Sequence, residues 1–402
     1  MSEANPLALF WEGFEPIRYA HTHPDTLCVE LQPRAGCPPV CGRCAHATLL
    51  IHDVALRYVR ERDLLGYRVW LQVPVRRVRC PRCGPSQESI PWLAGRRRLT
   101  QGMVAYVEAL VRLLPVKQVA EFVGLHWHTV KAIDRQRLAR EVSEPDRTAL
   151  RRVIMDEFAL HKGHRYATIA ICADTQQVLW VGEGRSRKDV RVFFEWLGPE
   201  ACGRLEAVAM DMNTAFDLEV QHHCPNAEIV YDLFHVIAKF GREVIDRVRV
   251  DQANALRDDR PARRVVKRSR WLLLRNRDNL AAEQTLRLDE LLSANAPLHT
   301  VYVLKTQLKE LWYAPDPTEA QRRWQEWYTM AIDSGLTPLI AFARRLQPYL
   351  PGIIASARHR LSTSVLEGMN NRIKVIKRMA YGFRDTAYFF LKIRAAFPGK
   401  VR

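Results

Sequence analysis

Six consecutive residues, Val153-Ile154-Met155-Asp156-Glu157-Phe158, constrain this chain more than any other stretch. Four of them favour a β-strand, yet two adjacent acids stand in the middle of the run. A carboxylate inside a sheet-forming apolar segment is costly unless it is paired or binds a metal. Asp211 and Glu367 occupy comparable settings, and the three together form a pattern that one acid would not.

The surrounding sequence alternates between strand and helix signals. Tyr166 to Ala173 and Val178 to Val181 read as strands, and Arg187 to Leu197 as an amphipathic helix. Glu206 to Asp211 is a buried-type strand ending in an acid, followed by Asn213 and a helix through His222. Ala227 to Asp232 is another strand, running into Phe234, His235 and a further helix. This alternation predicts an α/β sheet whose sites form at strand ends, where Asp211 and Asp232 both fall. From about Gly241 to Leu350 the signals become helical, and Trp271, Trp312, Trp324 and Trp327 fit a helical core better than base stacking. Ser362 or Thr363 can cap a last helix on which Glu367, Asn370, Asn371 and Lys374 share one face.

The chain has 402 residues, so two to four domains are expected. Its 61 basic side chains exceed its 44 acidic ones, giving a formal charge of +17 that favours a polyanionic partner. No stretch approaches the roughly 18 apolar residues of a membrane helix. Met1 to Glu15 carries acids and no basic region, which argues against a signal peptide. Residues 1 to about 36 are mixed and suggest no chemistry.

Cys41-Gly42-Arg43-Cys44 and Cys80-Pro81-Arg82-Cys83-Gly84 are two Cys-x-x-Cys pairs, Cys80 lying 36 positions after Cys44. Two such knuckles supply the four thiolates of a tetrahedral Zn²⁺ site, with Gly42 and Gly84 suited to a reversed backbone. A structural zinc ribbon in a reducing cytoplasm is the expectation. The gap is longer than usual in a ribbon, so Cys37, His46 and His52 remain substitute ligands, while Cys28 reads as a small hydrophobe. Between the pairs, Val69, Leu71, Val73 and Val75 alternate as in a half-buried strand.

Arg96-Arg97-Arg98 is either a solvated linker or a phosphate contact. Met103 to Leu114 has helical periodicity and stops before Pro115. In Val116 to Asp134, the small Ala120 permits two helices to cross closely, Gly124 makes the turn, and Val130 and Ile133 pack the second helix back on the first. That is the spacing of a helix-turn-helix, which would present His126, Trp127, His128, Thr129 and Lys131 to DNA. Glu141 to Ala149 reads as a linker. The basic stretch Arg257 to Arg277, including Arg263, Arg264, Lys267 and Arg268, would track a DNA backbone.

Taken in order, these motifs resemble a DDE transposase of the bacterial ISL3 insertion-sequence family. The resemblance rests on the paired cysteines, Arg62-Asp63-Leu64, the helix-turn-helix, Met155-Asp156-Glu157-Phe158, Ala209-Met210-Asp211-Met212, Tyr231-Asp232-Leu233-Phe234-His235 and Glu367-Gly368-Met369-Asn370-Asn371-Arg372-Ile373-Lys374. It implies a multidomain α/β protein: a zinc ribbon over residues 1–98, a helix-turn-helix domain over 99–145, and an RNase H-like core over 150–240 and 356–402, interrupted by an all-helical insertion over 241–355. It implies catalysis by Asp156, Asp211 and Glu367 holding two Mg²⁺ or Mn²⁺ ions per site, with cleavage at terminal inverted repeats and strand transfer into target DNA. Asn371 and Lys374 would lie near the site. Asp232 and His235 would either serve the site or form a core histidine capped by Asp232. Double-stranded DNA is the implied partner, a homodimer or larger assembly on DNA the implied state, and the nucleoid-bearing cytoplasm the implied location. The rival readings are a DNA-binding regulator or domesticated protein without catalysis, and a non-transposing nuclease of the same fold.

Overall fold

In a computed structural model of the chain, the described residues are 10–95, 98–161, 163–361 and 364–400. Arg96, Arg97 and the expected caps Ser362 and Thr363 lie outside them. The chain forms two compact units, Met1–Glu141 with Met379–Gly382, and Val142–Arg378 with Phe383–Arg402.

The first unit carries a sheet of β1 (Phe14–His23), β2 (Thr26–Pro33), β3 (Ile51–Arg60), β4 (Arg68–Cys80) and β5 (Gly84–Gln87). Its order is β1-β2-β4-β3, with β5 also pairing with β4. The alternation expected along β4 is present, since Val69, Leu71, Val73 and Val75 are all buried. The hairpin of β1 and β2 went unread in the sequence because only one side of it is covered; Ile17 and Tyr19 are exposed. Helices α1 (Gln101–Leu110), α2 (Val116–Val123) and α3 (Trp127–Glu141) follow. The first helix ends sooner than expected, at Leu110, and Val111 to Leu114 form turns. Gly124 caps α2 in the left-handed conformation at φ +65°, which a side chain disfavours. Val119, Ala120, Val123, Val130 and Ile133 are buried together, as the helix-turn-helix spacing requires.

The second unit is built on β6 (Arg152–His161), β7 (Arg165–Cys172), β8 (Val178–Glu183), β9 (Ala207–Met210) and β10 (Glu228–Tyr231). The sheet order is β10-β9-β6-β7-β8, with β6, β9 and β10 parallel and β6, β7 and β8 antiparallel. Parallel neighbours need crossovers, and α4 (Arg187–Leu197), α5 (Pro199–Gly203) and α6 (Thr214–His223) supply them. Odd-numbered residues of β6, Val153 and Met155, pack with Val208, Met210, Phe193 and Phe216 on that face. Between α4 and α6, the fully buried Glu219 accepts from Arg187 and Arg191 at 2.7 and 3.1 Å.

After β10 come α7 (Leu233–Phe240), a short π-helical segment at Gly241–Ile245, and α8 (Asp246–Ala255), α9 (Arg260–Arg268), α10 (Arg270–Leu274), α11 (Ala282–Ala294), α12 (Ala296–Glu310), α13 (Pro317–Asp333) and α14 (Thr337–Leu346). They surround one apolar cluster containing Trp324 and Trp327, so these two tryptophans serve packing as expected. Trp271 does not, being 65% exposed. The chain then returns to the open face of the sheet with α15 (Leu350–His359), α16 (Ser364–Met379) and α17 (Thr386–Ala396). Leu366, Met369 and Ile373, one stripe of α16, pack with Ile154, Ala209 and Val230.

Candidate active site

The register of three parallel strands aligns the acids. Ile154 lies beside Ala209, and Ala209 beside Val230. Two residues further along each strand direction stand Asp156, Asp211 and Asp232. Side chains two apart on a strand share a face, so all three acids follow the face that carries Ile154, Ala209 and Val230. That is the face covered by α16. Neighbouring strands are about 4.8 Å apart, so such a row spans on the order of 10 Å from Asp156 to Asp232.

Helix α16 meets this row with its next stripe. The Asn370 side-chain amide donates to Asp156 Oδ2 at 2.8 Å, and the Glu157 backbone N–H donates to Oδ1 at 2.7 Å. Burial nevertheless dominates at Asp156 and pushes its carboxyl up to about 6, against these hydrogen bonds and the charge of His235. Asn370 Oδ1 is buried without a partner. Asp232 caps α7, accepting from the Phe234 N–H at 3.0 Å. His235 sits between two acids, Nδ1 at 3.3 Å from Asp211 and Nε2 at 3.5 Å from Asp232. Its side chain is 35% exposed, so it is no core histidine.

A cavity of about 1010 Å³ opens here, lined by Asp156, Glu157, Asp232, His235, Glu367 and Asn370, with Asn371 and Lys374 beyond. Asp211 is absent from that lining and faces His235 instead. The three expected carboxylates are thus on one side of the sheet, although they do not form a tight cluster: among the described residues only the cysteines have all ligand atoms within 4.8 Å of one another. Asn370 reaches Asp156, whereas Asn371, the expected site residue, is exposed and accepts from Lys374 Nζ at 3.3 Å. The signal for Asn370 was its position three residues after Glu367 on the same face. Arg275, Asn276, Lys309 and Tyr313 also line the cavity, and nothing local in the sequence linked them to Asp156.

In the first unit, Cys41, Cys44, Cys80 and Cys83 come together as expected, with Cys44 and Cys80 sulfurs 3.5 Å apart. A tetrahedral Zn²⁺ with sulfurs at about 2.3 Å needs edges of about 3.8 Å, so these four thiols fit the ion. Hydrogen bonding, chiefly from the Arg43 N–H, lowers the Cys41 thiol to about 6, while hydrogen bonding with Cys44 pushes the Cys83 thiol up to about 12. Cys37, His46 and His52 are not in the group. One detail differs from expectation. The reversed backbone follows the second cysteine of each knuckle, at Ala45 (φ 55°) and Gly84 (φ 72°), not at Gly42. Gly42 is needed for close approach instead, because a Cβ there would meet Gln87 O at 2.8 Å.

At the start of α3, His126, Trp127 and His128 are exposed, and His128 stacks with both of the others, its ring 3.7 Å from that of Trp127, while Thr129 and Lys131 are half-buried. On α9, Arg264, Lys267 and Arg268 are exposed, Arg263 is half-buried, and Val266 points into the core. No helix among the described residues is long and apolar enough to cross a membrane.

Comparison with known proteins gives a consistent result. A family model described as a transposase, the DDE domain of the ISL3 type, matches residues 153–393. A second, described as the helix-turn-helix domain of transposase family ISL3, matches residues 88–138. The chain is 53% identical to the transposase for insertion sequence element IS1001 of Bordetella parapertussis, over 98% of this chain and 97% of that one. It is 27% identical to the transposase for insertion sequence element IS1557 of Mycobacterium tuberculosis, over 88% of this chain and 85% of that one.

Proposed function

The chain belongs to the ISL3 family of transposases, and we propose that it cuts and joins DNA at the carboxylates Asp156, Asp211 and Glu367. The observation that carries this reading is the row of acids in register, Asp156 within β6 and Asp211 and Asp232 just past the ends of β9 and β10, facing the stripe of α16 that bears Glu367 and Asn370. The strand order and the return of α15 to α17 to the sheet support an RNase H-like core over 150–240 and 356–402, with 241–355 as a helical insertion. The N-terminal parts, a zinc ribbon over 1–98 and a helix-turn-helix domain over 99–145, would recognise terminal inverted repeats.

The donor set fits hard divalent cations. It consists of carboxylates and an amide oxygen with no partner, and the Asp156 carboxyl stands to gain from a cation because burial penalises its charge. Two Mg²⁺ or Mn²⁺ ions held by Asp156, Asp211 and Glu367 would supply the Lewis acidity that activates water or a 3′-hydroxyl and stabilises the leaving oxygen. The protein's own groups do the positioning. Asn370 and the Glu157 amide fix the Asp156 carboxylate, and His235 orients Asp211 and Asp232 from between them. Asn371 and Lys374, at the open end of the same helix stripe, would meet the DNA strand. His126, Trp127, His128, Thr129 and Lys131 would enter the major groove, and Arg263, Arg264, Lys267 and Arg268 would follow the backbone. Transposon ends are paired during such a reaction, so a homodimer or larger complex on DNA is part of the proposal, as is action in a bacterial cytoplasm.

The test is cleavage of a labelled duplex carrying the element's terminal repeat, in Mg²⁺ or Mn²⁺. Asp156→Asn, Asp211→Asn and Glu367→Gln each abolish cleavage while duplex binding persists, and the parent's freed 3′-hydroxyl ends join a second duplex. Full cleavage by any one variant removes that residue from the site; tight binding without cleavage by the parent replaces the transposase reading with a regulator.

A further inference from the structure

A centre made only of carboxylates repels the DNA phosphates it must approach, so cations have to share the cavity. Arg275, Lys309, Arg360 and Lys374 all line it, and none of the four has a carboxylate within ion-pair distance among the described residues. Their sequence neighbours contrast with them. Arg270 is held by Asp246 at 2.9 Å and Arg277 by Asp289 at 2.6 Å. Within the basic stretch ending at Arg277, Arg275 is therefore the cation that reaches the cavity unpaired.

Beneath Arg275 lies a lysine that the reaction scheme above does not use. Lys305 on α12 is 2% exposed. Its Nζ donates to Leu273 O at 2.7 Å and Arg275 O at 2.9 Å, and lies 4.2 Å from the Tyr302 ring centroid. These carbonyls end α10, where a cation is favoured. Burial draws the ammonium down to about 8, which leaves it charged at neutral pH. One helical turn on, Lys309 donates to Asn276 Oδ1 at 3.0 Å. Two lysines of α12, four residues apart, thus fasten the Leu273–Asn276 segment along the cavity wall.

We propose that Arg275 and Lys309 grip the phosphate backbone of the reacting DNA strand, and that Lys305 is the positioning residue holding that grip in place. The inference rests on the reading of Asp156, Asp211 and Glu367 as the reacting centre. It assigns to the helical insertion a direct part in seating the scissile strand, separate from end recognition by α3. Lys305 does so without touching DNA, by fixing the backbone from which Arg275 and Asn276 project.

The experiment uses the full chain and a duplex with the element's terminal repeat, measuring kcat/KM for cleavage over a range of salt concentrations. Arg275→Ala and Lys309→Ala each lower kcat/KM about tenfold or more, and each flattens the dependence of log kcat/KM on log salt by about one unit, the signature of one lost phosphate contact. Lys305→Met produces a similar loss and flattening, and combining it with Lys309→Ala loses no more than the worse single variant. Parent-like rates and slopes in both Arg275→Ala and Lys309→Ala overturn the grip. A slower Lys305→Met enzyme with an unchanged slope overturns the positioning role; if this variant fails to fold, the two surface variants still decide the grip. Failure of the underlying reading is distinguishable, because there Asp156→Asn and Glu367→Gln would cleave normally whatever the lysines do.

Discussion

Replacing Asp156 by Asn should destroy cleavage and yet stabilise the metal-free protein. The Asp156 carboxyl is raised from an ordinary 3.8 to about 6, mainly by burial. A shift of about two units corresponds to roughly 3 kcal/mol of penalty on the charged form, and solvent in the adjoining cavity reduces this to about 1–2 kcal/mol. The sign follows from proton counting. Between about pH 4 and 6 the folded state holds the proton more tightly than the unfolded one, so stability falls as pH rises through that window. Asn is neutral throughout, and it can keep the local hydrogen bonds. Its Oδ1 still accepts from the Glu157 N–H, and its amide can donate to Asn370 Oδ1, now without a partner, once the Asn370 amide turns over. In EDTA at pH 7.5, Asp156→Asn should melt about 2–6 °C above the parent, and the gap should close near pH 4. Adding Mn²⁺ should raise the parent and leave the variant behind, because only the parent binds the ion. Equal or lower stability of the variant in EDTA at pH 7.5 would refute the argument that desolvation dominates at this carboxylate.

Metal analysis should find about one equivalent of zinc in the purified parent and none in Cys83→Ser, because the four sulfurs form one closed group with no spare ligand in it; a full equivalent of zinc in the variant would remove the site. Glu219→Gln should cost about 2 kcal/mol, read by urea unfolding, since the amide keeps one acceptor oxygen but turns an NH2 donor toward the guanidinium groups and removes the charge Arg187 and Arg191 share. The Glu219 carboxyl is lowered to about 2 by these arginines, so the stability it contributes is present above about pH 4.5 and should be lost as pH falls toward 2.

What the sequence disclosed depended on how local the signal was. An acid inside an apolar strand, as at Asp156, or closing one, as at Asp211 and Asp232, is a local anomaly that needs no knowledge of the pairing. Their alignment in one row follows from Ile154, Ala209 and Val230 sharing a register, and pairing between strands more than 20 residues apart leaves no local trace. The same limit conceals that Arg275, legible only as part of a basic stretch, and Lys309 reach the cavity, from a segment about 120 residues or more beyond Asp156. Lys305 was different. It continues the buried stripe of Val301, Leu304 and Leu308, so a lysine there was as anomalous as an acid in a strand.

Both anomalies have one physical cause and opposite solutions. Burial disfavours the charge of Lys305 as it does that of Asp156, but Lys305 is sealed between two carbonyls and a ring, so it can hold a wall and offers nothing to an incoming ion. Asp156 is buried with its charge only partly answered, by two N–H donors and a nearby histidine, and its carboxyl stays high. A charge enclosed by its own hydrogen bonds rigidifies its surroundings; a carboxylate disfavoured by burial that opens on a cavity stores free energy that an arriving cation releases. The contrast supplies a criterion for sorting the remaining acids of the second unit. Glu219, saturated by two arginines, belongs with Lys305 as a brace between α4 and α6. Asp217 is raised to about 6 by burial with only the Tyr231 hydroxyl donating to it. It lies on α6 and the charge of Asp211 raises it further, so its protonation too should respond to cations bound at the row of acids.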